Sequence, residues 1–284
     1  MRSSSRKTES GLPAPQWADV KSCQNSGTLG CYNLSMLEFP SSAAPRFFTD
    51  LPLASGAEVE LPDRVVRHLA VLRLRIGDLL TLFNGSGGEY ECTLSRTTKN
   101  SVLARVHTWH DLERESGIAI TLAQGLSGSD RMDYAIQKAA ELGVRAIRVL
   151  ATERSVVRLS DERADRRLAH WRHVVTAACE QCGRNRLPEV HPVATLGAFL
   201  SGTDPDVGAQ RLLLAPSGTV RLRELAPADR VIVLIGPEGG LSEDEERRVL
   251  GAGFTAVRIG PRVLRTETAP LAAIAALQAM WGDD

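Results

Sequence analysis

The chain has 284 residues, 43% of them apolar, and its 34 Lys+Arg balance its 34 Asp+Glu for a formal net charge of zero. That length allows two modest domains with their own cores, while no run nears the roughly 18 consecutive apolar residues of a membrane helix, which excludes a membrane-embedded protein. Charge balance alone points to no nucleic-acid partner, and five Cys in so long a chain make no disulfide framework.

Residues 1–45 are rich in Ser, Gly, Pro and Asn without sustained periodicity and read as a disordered extension. Its Ser and Arg content is faintly like a transit peptide, against which Glu9, Asp19, Pro13 and Pro15 stand; the alternative is a start assigned too early, with Met36 the true one. Both readings stay open. Ordered sequence begins near Arg46-Phe47-Phe48. A short helix over Pro62–Leu72 precedes three alternating strands, Asp78–Asn84, Glu89–Arg96 and Ser101–Trp109, joined by Gly85-Ser86-Gly87-Gly88 and Lys99-Asn100. Short strands joined by Gly and Asn turns predict a small β-barrel over 46–116. The glycine cluster leads into a strand, not a helix, so it is a hairpin turn and not a dinucleotide fingerprint.

From Gly117 the texture changes, after the charged run Asp111–Glu115. Strands at Ile118–Gln124, Ala146–Ala151, Arg211–Leu214, Arg230–Ile235 and Ala256–Ile259 alternate with helices at Met132–Leu142, Glu162–Cys182, Glu243–Leu250 and Ala269–Trp281. Nearly uniform apolar strands between amphipathic helices predict an α/β domain over 117–284, its parallel sheet covered on both faces. Between Arg145 and Arg186 ten Arg face five acids, a solvated helix face or a phosphate-binding one. Cys179-x-x-Cys182 lies at a helix end, not its start, has no second pair at zinc spacing, and reads as structural or incidental thiols in a reducing cytoplasm.

The segment with most chemistry is Ile235-Gly236-Pro237-Glu238-Gly239-Gly240-Leu241-Ser242. A buried strand ends in a glycine-rich loop, and Ser242 with Glu245 forms a capping box for the next helix. Loops at the carboxyl ends of strands in open sheets hold ligands. This one lacks the Lys and G-K-[ST] of a phosphate loop, and Glu238 repels phosphate, so it suits a neutral or cationic ligand. The next strand repeats the design in Ile259-Gly260-Pro261-Arg262-Val263-Leu264-Arg265-Thr266-Glu267-Thr268-Ala269-Pro270, Pro270 falling in the first turn of the last helix.

These two segments resemble the hallmark motifs of the RsmE family of SPOUT methyltransferases. Glu180-Gln181-Cys182-Gly183-Arg184, with Cys182 where that family carries Ser, and Lys138-Ala-Ala-Glu141-Leu142-Gly143-Val144 match further motifs in order. The resemblance runs from about Pro45 to the C-terminus. It implies a C-terminal trefoil knot, an N-terminal PUA-like barrel, a homodimer, and S-adenosyl-L-methionine as methyl donor without a metal. The implied reaction is methylation of N3 of one uridine in 16S rRNA of the small ribosomal subunit. Gly236, Gly240, Ile259 and Leu264, with Leu214 on the preceding strand end, are implied to enclose the donor. Pro237, Glu238, Gly239, Gly260, Thr266 and Ala269 complete that set. Arg265 is expected to stabilise a uracil anion and Glu267 to accept the N3 proton, unless the two pair with each other or cap the last helix. Arg46, Arg154, Arg158, Arg172, Arg184 and Arg186 are the expected phosphate contacts. Alternatives are a SPOUT enzyme acting on another RNA position or a 2′-hydroxyl, an RNA-binding assembly factor without catalysis, and a nicotinamide-dependent dehydrogenase. The last lacks G-x-G-x-x-G after an early strand.

Overall fold

Two sheets account for the strands of a computed structural model that describes residues 44–98, 101–155, 160–202 and 208–282. The N-terminal extension up to residue 43 with Met36, the Lys99-Asn100 turn and Arg158 lie outside these residues. Both sheets belong to one compact unit that begins at Ala44. No helix of the described residues is long and apolar enough to cross a membrane.

The smaller sheet has five strands, β1 (Arg46–Phe48), β2 (Glu58–Glu60), β3 (Leu79–Phe83), β4 (Glu89–Thr97) and β5 (Val102–His110), in the order β1-β3-β4-β5-β2. Alternation puts Leu80, Leu82, Cys92, Leu94, Ala104 and Val106 on one face, where helix α1 (Asp63–Leu72) covers them with Val65 and Leu69. The glycine cluster is the β3–β4 hairpin, with φ of 84° at Gly85 and 102° at Gly87. Phe47 is buried in this core and Phe48 meets the Phe83 ring edge-on, so the adjacent aromatics pack internally.

The larger sheet is parallel throughout: β6 (Ala119–Gly125), β7 (Ala146–Ala151), β8 (Glu189–Val190), β9 (Ala194–Thr195), β10 (Gln210–Leu214), β11 (Val220–Arg221), β12 (Arg230–Ile235) and β13 (Thr255–Arg258). Its order is β11-β13-β10-β12-β6-β7-β8, with β9 also on β7. Helices α2 (Ser129–Glu141), α3 (Asp161–Cys182) and α6 (Thr268–Trp281) cover one face through Met132, Ile136, Trp171, Val175, Ile274 and Leu277. Helices α4 (Leu196–Ser201) and α5 (Glu243–Gly251) cover the other through Leu196 and Val249, against Leu213, Ile232 and Leu234. Burial on both faces explains why these strands read as continuous apolar runs.

The order is not the chain order. After β10 the chain runs to the edge at β11, returns to insert β12 between β10 and β6, and leaves again to insert β13 between β10 and β11. Insertion leaves little room at crossing points. A Cβ on Gly125 would stand 2.5 Å from Pro237 N, and one on Gly218 2.5 Å from Val257 C, so both positions require glycine on packing grounds.

The motif around Cys182 proves to be a joint between the two sheets. Glu180 Oε1 accepts from Phe48 N and Arg64 Nη1, both at 3.0 Å. Gly183, at φ 90°, ends α3, and its carbonyl accepts from Arg46 Nη2 (3.1 Å) and Arg114 Nη1 (2.8 Å). Buried Asn185 accepts from Arg46 Nη2 and donates to Leu112 O. The segment 112–115, read as a charged boundary, is therefore pinned along its length: Glu113 pairs with Arg186, and Glu115 with Arg184. The Glu141-Leu142-Gly143-Val144 motif serves as a helix stop and a seat for α6. Gly143 sits at φ 85°, and buried Gln278 donates to Leu142 O at 2.8 Å.

Candidate functional site

Strands β10, β12 and β13 end side by side, so the loops after them meet above the sheet. They line a cavity of about 510 Å³, within the range of small-molecule sites. Every donor-binding position expected from the sequence lines it, from Leu214 through Gly236–Gly240 to Ile259, Gly260, Leu264, Thr266 and Ala269, and so do Arg265 and Glu267.

Local chemistry explains the loop shapes. Ser242 Oγ accepts from Glu245 N while Glu245 Oε2 accepts from Ser242 N, the expected capping box. Glu245 is buried, and its Oε1 accepts from Glu153 N at 2.9 Å, so the cap also fixes the loop after β7. Gly240 has φ 69°, and a Cβ there would meet nothing within 4 Å. Thr266 Oγ1 donates to Gly236 O at 3.1 Å, and Gln124 Nε2 donates to Thr266 Oγ1 at 3.1 Å, fastening the third loop to the end of β6.

The electrostatics are mixed. Arg265 is exposed and makes no side-chain hydrogen bond or ion pair among the described residues; its carbonyl accepts from Thr268 N and Ala269 N and starts α6. It does not pair with Glu267. Glu267 is the N-cap of α6, yet its side chain makes no capping bond. Its Oε2 is shielded from solvent, has no hydrogen-bond partner, and lies 3.8 Å from Arg131 Nε. Glu238 Oε1 accepts from Gly128 N (3.0 Å) and Arg131 Nη1 (2.9 Å). Burial acts to raise the Glu238 pKa, but the Gly128 N–H, its own N–H, Arg131 and Ser127 outweigh it and hold the carboxyl below its usual value. Arg131, Gln124 and Ser127 escaped the motif reading. Gln124 lies near the end of β6 and Ser127 and Arg131 follow it, Arg131 lining the same cavity, so the strand-end rule was the signal available.

The arginines divide. Arg46 is spent on Glu89, Gly183 O and Asn185 and lies 5.0 Å from the Phe83 ring centroid. Arg184 is buried, pairs with Glu115, and donates to Ala140 O (2.7 Å) and Val144 O (3.0 Å). Buried Arg184 does not face solvent as a phosphate contact must, which corrects the expectation for it, while Arg46 is partly exposed and already paired. A guanidinium needs acceptors wherever it lies, and here carboxylates and helix-end carbonyls supply them, Arg46 Nε excepted. Arg154 is exposed and donates to Gly239 O and Leu241 O. Arg172 is exposed beside a smaller cavity, and Arg186 is exposed and paired with Glu113. Cys179 is buried, its Sγ donating to Arg186 O at 3.8 Å, and the neighbouring Cys182 thiol is lowered to about 6, chiefly by Cys179. Among the described residues no three His, Cys, Asp or Glu side chains gather to hold a metal.

A parallel sheet with late strands inserted between earlier ones, a three-loop cavity at its carboxyl end and a small β-sheet module joined to it fit the class of RNA methyltransferases. Residues 114–278 match the family described as RNA methyltransferase domain, and residues 61–106 match the RNA methyltransferase PUA domain. The chain is 34% identical over 245 residues to ribosomal RNA small subunit methyltransferase E of Bacillus subtilis, covering 82% of this chain and 95% of that one. It is 33% identical to the protein of that name in Mycobacterium bovis, over 83% and 92%. The crystal structure of a ribosomal RNA small subunit methyltransferase E from Neisseria gonorrhoeae bound to S-adenosyl methionine is 41% identical, with coverage of 84% and 99% and a TM-score of 0.79. This chain belongs to the ribosomal RNA small subunit methyltransferase E family.

Proposed function

We propose that the protein transfers the methyl group of S-adenosyl-L-methionine to N3 of one uridine in 16S rRNA of the small ribosomal subunit. The observation that carries this reading is the convergence of the loops after β10, β12 and β13 on one cavity, in a chain whose Neisseria relative was solved with S-adenosyl methionine. The residues present fit that group. Gly240 leaves open space where a side chain would stand, and the Glu238 and Glu267 carboxylates favour a cation at the mouth. When bound, S-adenosylmethionine supplies an electrophilic methyl on a sulfonium that departs as a neutral thioether.

The chain's residues do the rest. Glycine backbones of 236–240 and the Leu214, Ile259 and Leu264 side chains hold the donor, and alignment of reactants supplies much of the rate. Glu267 accepts the N3 proton directly or through water, and the electron pair left on N3 forms the bond to the methyl carbon. Arg265, with no side-chain partner among the described residues, faces the negative charge that develops on the uracil ring. N3 lies on the pairing edge, so the target uridine is unpaired or turned out of its stack. Exposed Arg154, Arg172 and Arg186 contact phosphates, together with the PUA-type sheet.

The same reading takes residues 46–116 as the RNA-gripping barrel, 117–284 as the catalytic domain, a cytoplasmic homodimer as the working form, and a trefoil knot at the C-terminus. Insertion of β12 and β13 between strands laid down earlier supports the knot. Purified protein, labelled S-adenosylmethionine and small subunits from a deletion strain test the function. Nucleoside mass spectrometry is expected to find 3-methyluridine in 16S rRNA; a 2′-O-methyl nucleoside or unlabelled rRNA refutes it. Arg265→Ala is expected to abolish turnover while donor affinity stays.

A further inference from the structure

Gln124 stands one residue before the end of β6, in register between Ile235 of β12 and Val149 of β7. It is buried, and so are these apolar neighbours. An amide at this point of the sheet sits among hydrocarbon, where an unserved polar group is costly. Its Nε2 lies within hydrogen-bond distance of three oxygens: Thr266 Oγ1 at 3.1 Å, Gly125 O at 3.3 Å and Gly236 O at 3.4 Å. Its Oε1 is buried without a hydrogen-bond partner. Backbone carbonyls only accept, so the two that face this end of the side chain fix it as the nitrogen.

Those oxygens do not need the amide. Gly236 O already accepts from Thr266 Oγ1 at 3.1 Å, and Gly125 O from Ser127 Oγ at 3.1 Å. What Gln124 adds is a tie between elements far apart in the chain: the end of β6, the loop after β12 that begins at Gly236, and the loop after β13 that carries Thr266. Gly236 and Thr266 line the cavity, and Gln124 does not. We propose that Gln124 is a positioning residue for the methyl donor: acting through Thr266 and Gly236 O, its amide N–H groups hold the two loops at the spacing the donor fits. This rests on the donor site proposed above and names what sets its width. Methionine has the length of glutamine without its donors or acceptor. In Gln124→Met each carbonyl keeps its hydroxyl partner and the orphaned Oε1 goes, so folding stability changes little while the tie is cut. A residue that merely filled space would not separate stability from donor affinity in this way.

Calorimetric titration of full-length protein with S-adenosylmethionine, beside melting curves and steady-state methylation of small subunits, tests this. Gln124→Met is expected to weaken donor binding about 10-fold, with Tm within about 2 °C of wild type. In turnover the KM for S-adenosylmethionine rises by the same factor, while kcat and the KM for small subunits stay within about two-fold. Thr266→Val removes the hydroxyl that receives the amide and weakens donor binding on its own. Combined with Gln124→Met it is expected to weaken binding little further, because both variants cut one tie. Donor affinity unchanged in Gln124→Met overturns the proposal, and so do losses that multiply in the double variant. A Gln124→Met protein that fails to fold, or whose Tm falls by more than about 6 °C, marks a packing role and overturns it as well. Wild-type protein that binds no S-adenosylmethionine fails the donor site itself and takes this role with it, a result distinct from binding that Gln124→Met retains.

Discussion

Replacing Arg184 by methionine removes a guanidinium whose Nε and Nη2 both bond Glu115 and whose Nη1 serves the Ala140 and Val144 carbonyls at 2.7 and 3.0 Å. Its side chain is only 4% exposed, whereas that of Glu115 is 27% exposed. Removing one partner of a buried pair costs about 3–5 kcal/mol. Because the Glu115 side regains some water, the lower end applies, about 3 kcal/mol, a large share of a typical stability of about 5–15 kcal/mol. For a unit of this size that lowers Tm by roughly 6–12 °C. Urea unfolding should show the midpoint fall with the slope unchanged. RNA binding measured against salt should keep its wild-type slope, because no phosphate contact has gone. Loss of a phosphate contact would make that slope shallower by about 0.7–0.9. Wild-type stability with a shallower salt slope would refute the burial argument and restore Arg184 to the RNA surface.

Gly218→Ala places a Cβ against the Val257 backbone, so β13 must shift, at about 2 kcal/mol and roughly 4–8 °C in Tm; an unchanged melting curve contradicts the close crossing. Glu238 has a depressed folded-state pKa, so the stability it contributes is full above its unfolded value of about 4.3 and is lost as pH falls through the lower folded value. The Tm difference between wild type and Glu238→Gln should therefore shrink on acidification, and a difference that grows would reverse the sign. Cys182 should show ultraviolet thiolate absorbance with a midpoint of about 6, in a difference spectrum against Cys182→Ser. Cys179→Ala removes that neighbouring thiol and should return the midpoint toward about 8.5; the same midpoint in both proteins contradicts the influence of Cys179.

Much of the parallel sheet was legible because a strand buried on both faces leaves a continuous apolar run, as in Val231–Ile235. The cavity was legible because glycine-rich turns after such strands have few other uses, and Ser242 with Glu245 announced the helix beyond. Strands β8, β9 and β11 have two residues each, too few for any periodicity to show. The insertion of β12 and β13 between other strands was equally hidden, since local patterning carries no strand order. Arginines misled for a related reason. A count of charges between Arg145 and Arg186 cannot tell Arg172, which faces solvent, from Arg184, which faces Glu115 and two carbonyls. Arg131 stayed unnoticed because its partners, Glu238 and Glu267, lie more than a hundred residues away in sequence.

The central claim is that the three strand-end loops form the seat of the methyl donor. Calorimetric titration of purified protein with S-adenosylmethionine tests it most directly, beside Gly240→Val, whose branched side chain enters the open space at a backbone φ of 69°. Saturable binding by wild type and its loss in a folded Gly240→Val protein are the expected results. No heat from wild type, or equal affinity in both, would place the donor elsewhere or nowhere on this chain.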